Sequence, residues 1–248
     1  MISIDLNCDM GEGIGNEELL MPFISSANIA CGYHAGDAEE IKRVVDLCIK
    51  YNTAIGAHPS FPDKENFGRK EMYLSNEEIY QLVKKQIAIL NTITVAAGAT
   101  LHHVKPHGAL YNMAAKDAAL ATVIVTAVKD VNAGLIFYGL SGSVMIDEAN
   151  KIGLQTASEV FADRTYQPDG SLTPRSNANA LITDAVTAIQ QVTQMIESKK
   201  ITTTNGETIS IKADTVCIHG DGKHAVEFAK KIHRSLHQAG ITIQKIKH

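Results

Sequence analysis

His103-Val104-Lys105-Pro106-His107-Gly108 is a strand-like run that ends in a lysine, a proline and a histidine. Two other runs end in a similar way: Ile4-Asp5-Leu6-Asn7-Cys8-Asp9 closes on an acid, and Ala54-Ile55-Gly56-Ala57-His58-Pro59 on a histidine. In parallel α/β proteins the carboxyl ends of the strands open onto one common face, so ionisable groups placed there converge although the sequence scatters them. That face is the expected active site.

Outward from these runs, strand candidates fall near 2–8, 26–31, 53–58, 101–105, 135–139, 154–160 and 214–219, mostly separated by helical patterns. A helix at 37–51 carries Ile41, Val44, Val45, Leu47 and Cys48 on helical spacing, and Asp37 with Glu40 makes a capping-box pattern. Ser75 with Glu78 makes a second, whose stripe of Ile79, Leu82, Val83, Gln86, Ile87 and Leu90 runs on towards Gly98. Further helices are expected at 116–131, 178–198 and 225–240. One hairpin interrupts the rhythm, with strands at 201–204 and 208–211 joined at Asn205-Gly206, which predicts a two-residue type I′ turn. Seven strands with intervening helices, and no Gly-rich dinucleotide fingerprint after the first, predict an irregular seven-stranded (β/α) barrel rather than a doubly wound sheet. The chain is read as one α/β domain over 1–248, with the hairpin as an insertion.

An apolar share of 45% is enough for a sizeable core. The net charge of −4, with acids and bases interspersed, argues against a nucleic-acid or anionic-membrane surface, which needs a basic stripe. A small molecule in a local pocket is the expected partner. Met1-Ile2-Ser3-Ile4-Asp5 has neither a basic n-region nor an apolar h-region, and the apolar stretch at 118–128 is too short to span a bilayer, so a cytoplasmic location is expected. Cys8, Cys31, Cys48 and Cys217 show no Cys-x-x-Cys spacing and read as buried reduced thiols; a nucleophilic Cys8 or Cys31 is the alternative.

The strand ends supply the candidate site. Asp9 and Glu12 follow the first strand among Gly11, Gly13 and Gly15, where glycines let backbone approach a ligand; a tight turn capped by Asp9 explains the segment equally well. His34 leaves the second strand as a metal ligand or proton carrier, while Asp37 is better explained as a helix cap. His58 sits at the third strand's end, before a polar excursion reaching Arg69, which could clamp a carboxylate or serve in a structural ion pair. Alternation puts His103 and Lys105 on one side of the fourth strand and His102 and Val104 on the other. Lys105 and His107 are the choices there, for binding an anionic oxygen or moving protons. Glu159, inside an apolar strand, needs a buried partner such as Lys105 or Arg164. The last strand delivers His219 and Asp221. Gly220-Asp221-Gly222-Lys223 lacks the spacing of a phosphate loop.

Taken as an ordered set, these segments resemble the LamB/YcsF lactam-utilisation family over nearly the whole chain. The strings are Leu6-Asn7-Cys8-Asp9-Met10-Gly11-Glu12, Ser26-Ala27-Asn28-Ile29-Ala30-Cys31-Gly32-Tyr33-His34-Ala35-Gly36-Asp37, Gly56-Ala57-His58-Pro59, Val104-Lys105-Pro106-His107-Gly108-Ala109-Leu110-Tyr111-Asn112, Glu159-Val160-Phe161-Ala162-Asp163-Arg164 and His219-Gly220-Asp221. The resemblance implies an irregular barrel of the glycoside hydrolase/deacetylase type. It also implies cleavage of the cyclic amide of 5-oxo-L-proline to L-glutamate, with ATP as co-substrate, in a complex with 5-oxoprolinase subunits B and C. The chain departs from the pattern at Lys70, where a second arginine is expected, at Asn179, where glycine is expected, and at Gly222-Lys223-His224. Asn tolerates left-handed backbone, which would make the second change mild.

An unstrained lactam is a poor electrophile, and phosphorylating its oxygen would supply a leaving group. Water must then be activated and negative oxygens held. The expected division is Asp9 or His58 as general base, with Lys105 and His107 on the oxyanion or phosphate and Glu159 beside them. Arg69 or Arg164 is expected on the substrate carboxylate, and Asn7, Glu12, His34 and Asp221 complete the binding set. Two alternatives stand beside this one. The first is a metal-dependent deacetylase-like hydrolase with Asp9, His34 and His58 as ligands to a divalent metal, although no His-x-His or His-x-x-x-His pair accompanies His58. The second is a non-catalytic subunit that binds 5-oxoproline.

Overall fold

The computed structural model describes residues 2–221 and 225–248. The sequence departure at Gly222-Lys223-His224 lies outside the described residues. The strands are β1 (Ser3–Met10), β2 (Ser26–Ala30), β3 (Ala54–His58), β4 (Leu101–Val104), β5 (Ile136–Leu140), β6 (Thr156–Phe161), β7 (Lys200–Thr202), β8 (Thr208–Ser210), β9 (Thr215–Ile218) and β10 (Thr242–Ile243). Strands β1 to β6 and β9 pair in parallel in that order, and β9 returns to β1, closing a seven-stranded barrel. All seven expected strands are therefore barrel staves. β10, which was not expected, adds a two-residue parallel ladder at the start of β1.

The helices are α1 (Glu17–Leu20), α2 (Ala38–Tyr51), α3 (Asn76–Ala96), α4 (Gly108–Ala114), α5 (Ala118–Val131), α6 (Val144–Lys151), α7 (Ala185–Thr193) and α8 (Ala225–Gln238). Asp37 caps α2 by accepting from the Glu39 and Glu40 amides, and Asn52 ends it in the left-handed region at φ 56°. The capping box of Ser75 and Glu78 starts α3. The helices α1, α4 and α6 were not expected, being too short for periodicity to register.

Two local expectations are corrected. The helix predicted at 178–198 begins only at Ala185, with Asp184 as its cap, and ends in a π-turn at Gln194–Ser198. Ser176-Asn177-Ala178-Asn179 ahead of it includes side chains that compete with helical hydrogen bonds. That segment instead bridges back to the end of β6 through Arg164 and Leu181. Asn179 does not adopt positive φ, so left-handed tolerance is not what accommodates it. The hairpin β7–β8 exists, but Thr202 pairs with Thr208 and the Gly206 amide donates to the Thr203 carbonyl. Only Gly206, at φ 86°, is left-handed, whereas a type I′ turn requires positive φ at both central residues.

Along β1 the side chains divide by parity. Leu6, Cys8 and Met10 join the hydrophobic core, and Asp5, Asn7 and Asp9 join buried polar partners from other staves. The interior is thus a stack of hydrogen-bonded layers. In the lowest, Asp5 accepts from Ser25 and Ser26 at 2.6 and 2.7 Å, Thr215 at 2.6 Å and Tyr138 at 3.1 Å. Burial raises its pKa although these four donors oppose the shift. In the next, Asn28 donates to Asn7 and Asp9 at 2.7 and 2.8 Å and accepts from His103, whose ring stacks on Tyr138 at 4.1 Å. His103 fits because β3 has no side chain at Gly56: a Cβ there would lie 2.0 Å from His103 Nε2. Gly56→Ala is expected to displace that ring, break its bond to Asn28 and cost about 2–4 kcal/mol, read as a lowered midpoint in urea unfolding.

Candidate active site

The top layer forms at the carboxyl ends of the staves. Lys105, one residue past β4, is 2% exposed, and its Nζ lies 2.9 Å from Asp9 Oδ1, 2.8 Å from Glu159 Oε1, 3.3 Å from Asn7 Oδ1 and 3.1 Å from Cys217 Sγ. Tyr111 on α4 donates to the other Glu159 oxygen at 2.7 Å. Burial opposes charge on Lys105, but Asp9 and Glu159 outweigh it and hold the ammonium well above its ordinary pKa. Burial likewise opposes ionisation of Asp9, yet His58 and Lys105 keep it well below the usual carboxylate range. Lys105 is therefore a fixed cation and Asp9 a fixed anion at neutral pH.

Beside them stand three histidines. His58 Nδ1 donates to the Lys105 carbonyl at 2.7 Å, which leaves its Nε2 2.9 Å from His107 Nδ1 and 3.4 Å from Asp9 Oδ2. His107 Nε2 donates to the Phe67 carbonyl at 2.9 Å. His34 stacks on His107 at 3.9 Å and places its Nε2 3.4 Å from Glu12 Oε1. Burial drives the His34 pKa down to about 3 and lowers that of His107 well below its usual value, so both rings are neutral at pH 7. Burial also raises Glu12 far above the carboxylate range, helped by Asp9 and Asp221.

A pocket of about 530 Å³ opens above this layer, lined by Asp9, His58, Lys105, His107, Arg69, Arg164, Arg175 and His219 among others. Arg69 reaches in from the excursion after β3 and bonds Asp221 at 2.7 Å. Arg164 spends donors on the carbonyls of Thr173 and Ala180, which ties the 165–181 loop to the barrel. Arg175, on that loop, donates to His219 Nε2 at 3.0 Å, and His219 Nδ1 faces Asp163 at 2.8 Å. A depression of similar volume at the opposite end, around Ile24, His102 and 243–248, gathers no comparable set of ionisable groups among the described residues.

The structure thus joins Asn7, Asp9, Lys105 and Glu159 in one network and Glu12, His34, His58 and His107 in the next, with Arg69, Arg164 and Asp221 at the rim. Asn28, His103 and Tyr111, which tie the network together, were not among the candidates, nor were Asp163 and Arg175. The alternation Asp5-Asn7-Asp9 was the sequence signal that β1 feeds a polar interior. Ligand atoms of Asp9, Glu12, His58 and His107 lie within 4.8 Å of one another, as do those of Asp9, Cys217 and His219. Of the expected Asp9, His34 and His58 metal set, His34 is in neither group. Burial raises the pKa of Cys8 well above normal and that of Cys31 to about 12, so neither is a thiolate nucleophile, and burial keeps Cys217 a thiol as well.

The closed seven-stranded parallel barrel is a fold of the glycoside hydrolase/deacetylase type. A family 4 carbohydrate esterase from Streptomyces lividans shares this fold at a TM-score of 0.53, with 12% identity over 99% of this chain and 93% of that one. The model of the LamB/YcsF family matches residues 4–248, and the chain belongs to that family. It is 55% identical over 249 residues to a protein of Shouchella clausii that bears the name of the A component of 5-oxoprolinase, covering 98% of each. A lactam utilization protein from Thermus thermophilus superposes with a TM-score of 0.93 at 40% identity, over 99% of this chain and all of that one. No described helix is long and apolar enough to cross a membrane.

Replacing Lys105 by Met would leave two buried carboxylates facing each other without a cation, at an expected cost of about 3–5 kcal/mol. Without the ammonium Asp9 loses one of the cations that offset its burial, so its folded-state pKa rises relative to the wild type. The variant's deficit against the wild type is then smallest at low pH and grows as pH rises through the Asp9 pKa of the variant. Urea unfolding should show a larger deficit against the wild type at pH 8 than at pH 5.5, and an equal deficit at both would refute the ion-pair account.

Proposed function

We propose that this chain is the A component of an ATP-dependent 5-oxoprolinase, a hydrolase that opens the cyclic amide of 5-oxo-L-proline to L-glutamate with subunits B and C. The observation that carries the reading is the pairing, in one small pocket, of a buried Lys105–Asp9–Glu159 floor with an arginine-bearing rim. 5-Oxoproline presents the matching groups, a carboxylate for arginine and an amide carbonyl for a buried ammonium. The name borne by the Shouchella clausii relative supports the substrate, the reaction and the existence of partner subunits.

In this reading the lactam oxygen is phosphorylated at the expense of ATP, water adds to the carbonyl carbon, and the C–N bond breaks with a proton going to nitrogen. The overall balance uses two waters, one for the ring and one for release of the phosphoryl group. Lys105 holds the negative oxygen, with His107 near it. Asp9 and His58 face the side from which water attacks; the His58 bond to the Lys105 carbonyl leaves Nε2 turned into the pocket. Arg69 and Arg175 are better placed than Arg164 to take the substrate carboxylate, because Arg164 is engaged with backbone. ATP as co-substrate fits a cytoplasmic enzyme. The chain has no Walker A sequence, so the phosphoryl donor is bound by a partner or by a site of another kind.

Reconstitution with subunits B and C tests the assignment. At saturating 5-oxoproline and ATP, Lys105→Ala and Asp9→Asn should each lower kcat about 100-fold or more. Arg175→Gln should mainly raise KM. Full turnover in the first two variants would reject the mechanism, and a change confined to KM in all three would indicate a 5-oxoproline carrier.

A further inference from the structure

One N–H of each ring, His58 and His107, is committed to a backbone carbonyl, of Lys105 and Phe67 respectively. The inward nitrogens, His58 Nε2 and His107 Nδ1, face each other at 2.9 Å. Two imidazole nitrogens at this distance need one positive charge between them, a proton or a metal ion. Two carboxylates close in on the same point. Asp9 commits Oδ1 to Lys105 and Asn28 and turns Oδ2 to within 3.4 Å of His58 Nε2. Glu12 Oε1 lies 3.5 Å from His107 Nδ1.

The spacing decides what kind of cation suits the group. Donors held at zinc-like distances of about 2.0–2.1 Å around a tetrahedron are about 3.3 Å apart. The adjacent pairs here measure 2.9, 3.4 and 3.5 Å, and all four donors lie within 4.8 Å of one another. Two imidazoles with two carboxylates favour zinc-type first-row ions over magnesium or calcium, which prefer all-oxygen sets. The outer contacts are already made: each ring is fixed by its carbonyl, and Asp9 by Lys105 and Asn28.

We propose that Asp9, Glu12, His58 and His107 bind one zinc-type divalent cation on the floor of the pocket. His34 is not a ligand; it stacks against His107 and turns its Nε2 to Glu12. Bound there, such a cation would polarise an oxygen ligand and lower the pKa of water. Metal content, not turnover, reports on this site, so the choice of lactam as substrate does not affect the outcome.

The test uses the full chain, stripped with chelator and titrated with Co²⁺ and with Zn²⁺, followed by visible absorption and elemental analysis. One equivalent should bind, with the ligand-field bands of four-coordinate cobalt. His107→Gln and Asp9→Asn should each weaken affinity at least about 10–100-fold, and His34→Gln should keep the single equivalent. If stripped wild-type protein takes up neither ion, the inward nitrogens share a proton instead and the proposal fails. It fails equally if His107→Gln binds as wild type does, or if His34→Gln abolishes binding.

Discussion

The Lys105 ammonium, buried between Asp9 and Glu159, is the interaction around which the barrel is organised. A lone ammonium would be expelled from such an interior or lose its proton, and two facing carboxylates would repel. Together they form an anion–cation–anion set whose members come from β1, the end of β4 and β6. That set constrains those staves from within. Its carboxylates need further donors, which explains why Asn28 and Tyr111 are committed to Asp9 and Glu159.

The same constraint reaches down the barrel. Interiors of parallel barrels are usually filled by layers of branched apolar side chains. Here Asp5, Asn7, Asn28, His103 and Thr215 take those positions and satisfy one another. A polar interior of this kind tolerates few substitutions, because removing one member strands its partners. It also explains a glycine inside β3: the His103 ring occupies the space a side chain at position 56 would need. Above the network the arginines sit on connections between the staves and helices, where their reach can serve a ligand while the charged floor stays fixed.

Much of this was legible in the residues. Seven strands, the caps Asp37 and Ser75, and the rule that strand ends carry the chemistry follow from periodicity and turn residues, which are local properties. Alternation placed His103 and Lys105 on one side of β4, and both are buried within the barrel. Where two local codes competed, sequence reasoning erred. Asn205-Gly206 matched a two-residue turn, but the strands paired in a register that leaves only Gly206 left-handed. The helix expected from residue 178 was displaced to Ala185, because the preceding segment is held to the end of β6 by Arg164.

The barrel class, the face on which the chemistry lies and the ordered strings that mark the LamB/YcsF family are all present in the unfolded chain. Each is written in neighbouring residues, through strand and helix periods and short motifs. Folding alone selects the partners: Lys105 comes to lie between Asp9 and Glu159, Arg164 holds a loop, and His107 rather than His34 faces His58. Apart from the Arg164 bonds, which span 9 and 16 positions, these contacts join residues tens to more than a hundred positions apart, as do Asn7 with Thr215 and Lys105 with Cys217. Their identity depends on barrel closure, stave register and which ring nitrogen a backbone carbonyl has already claimed, and none of these is encoded in a local pattern.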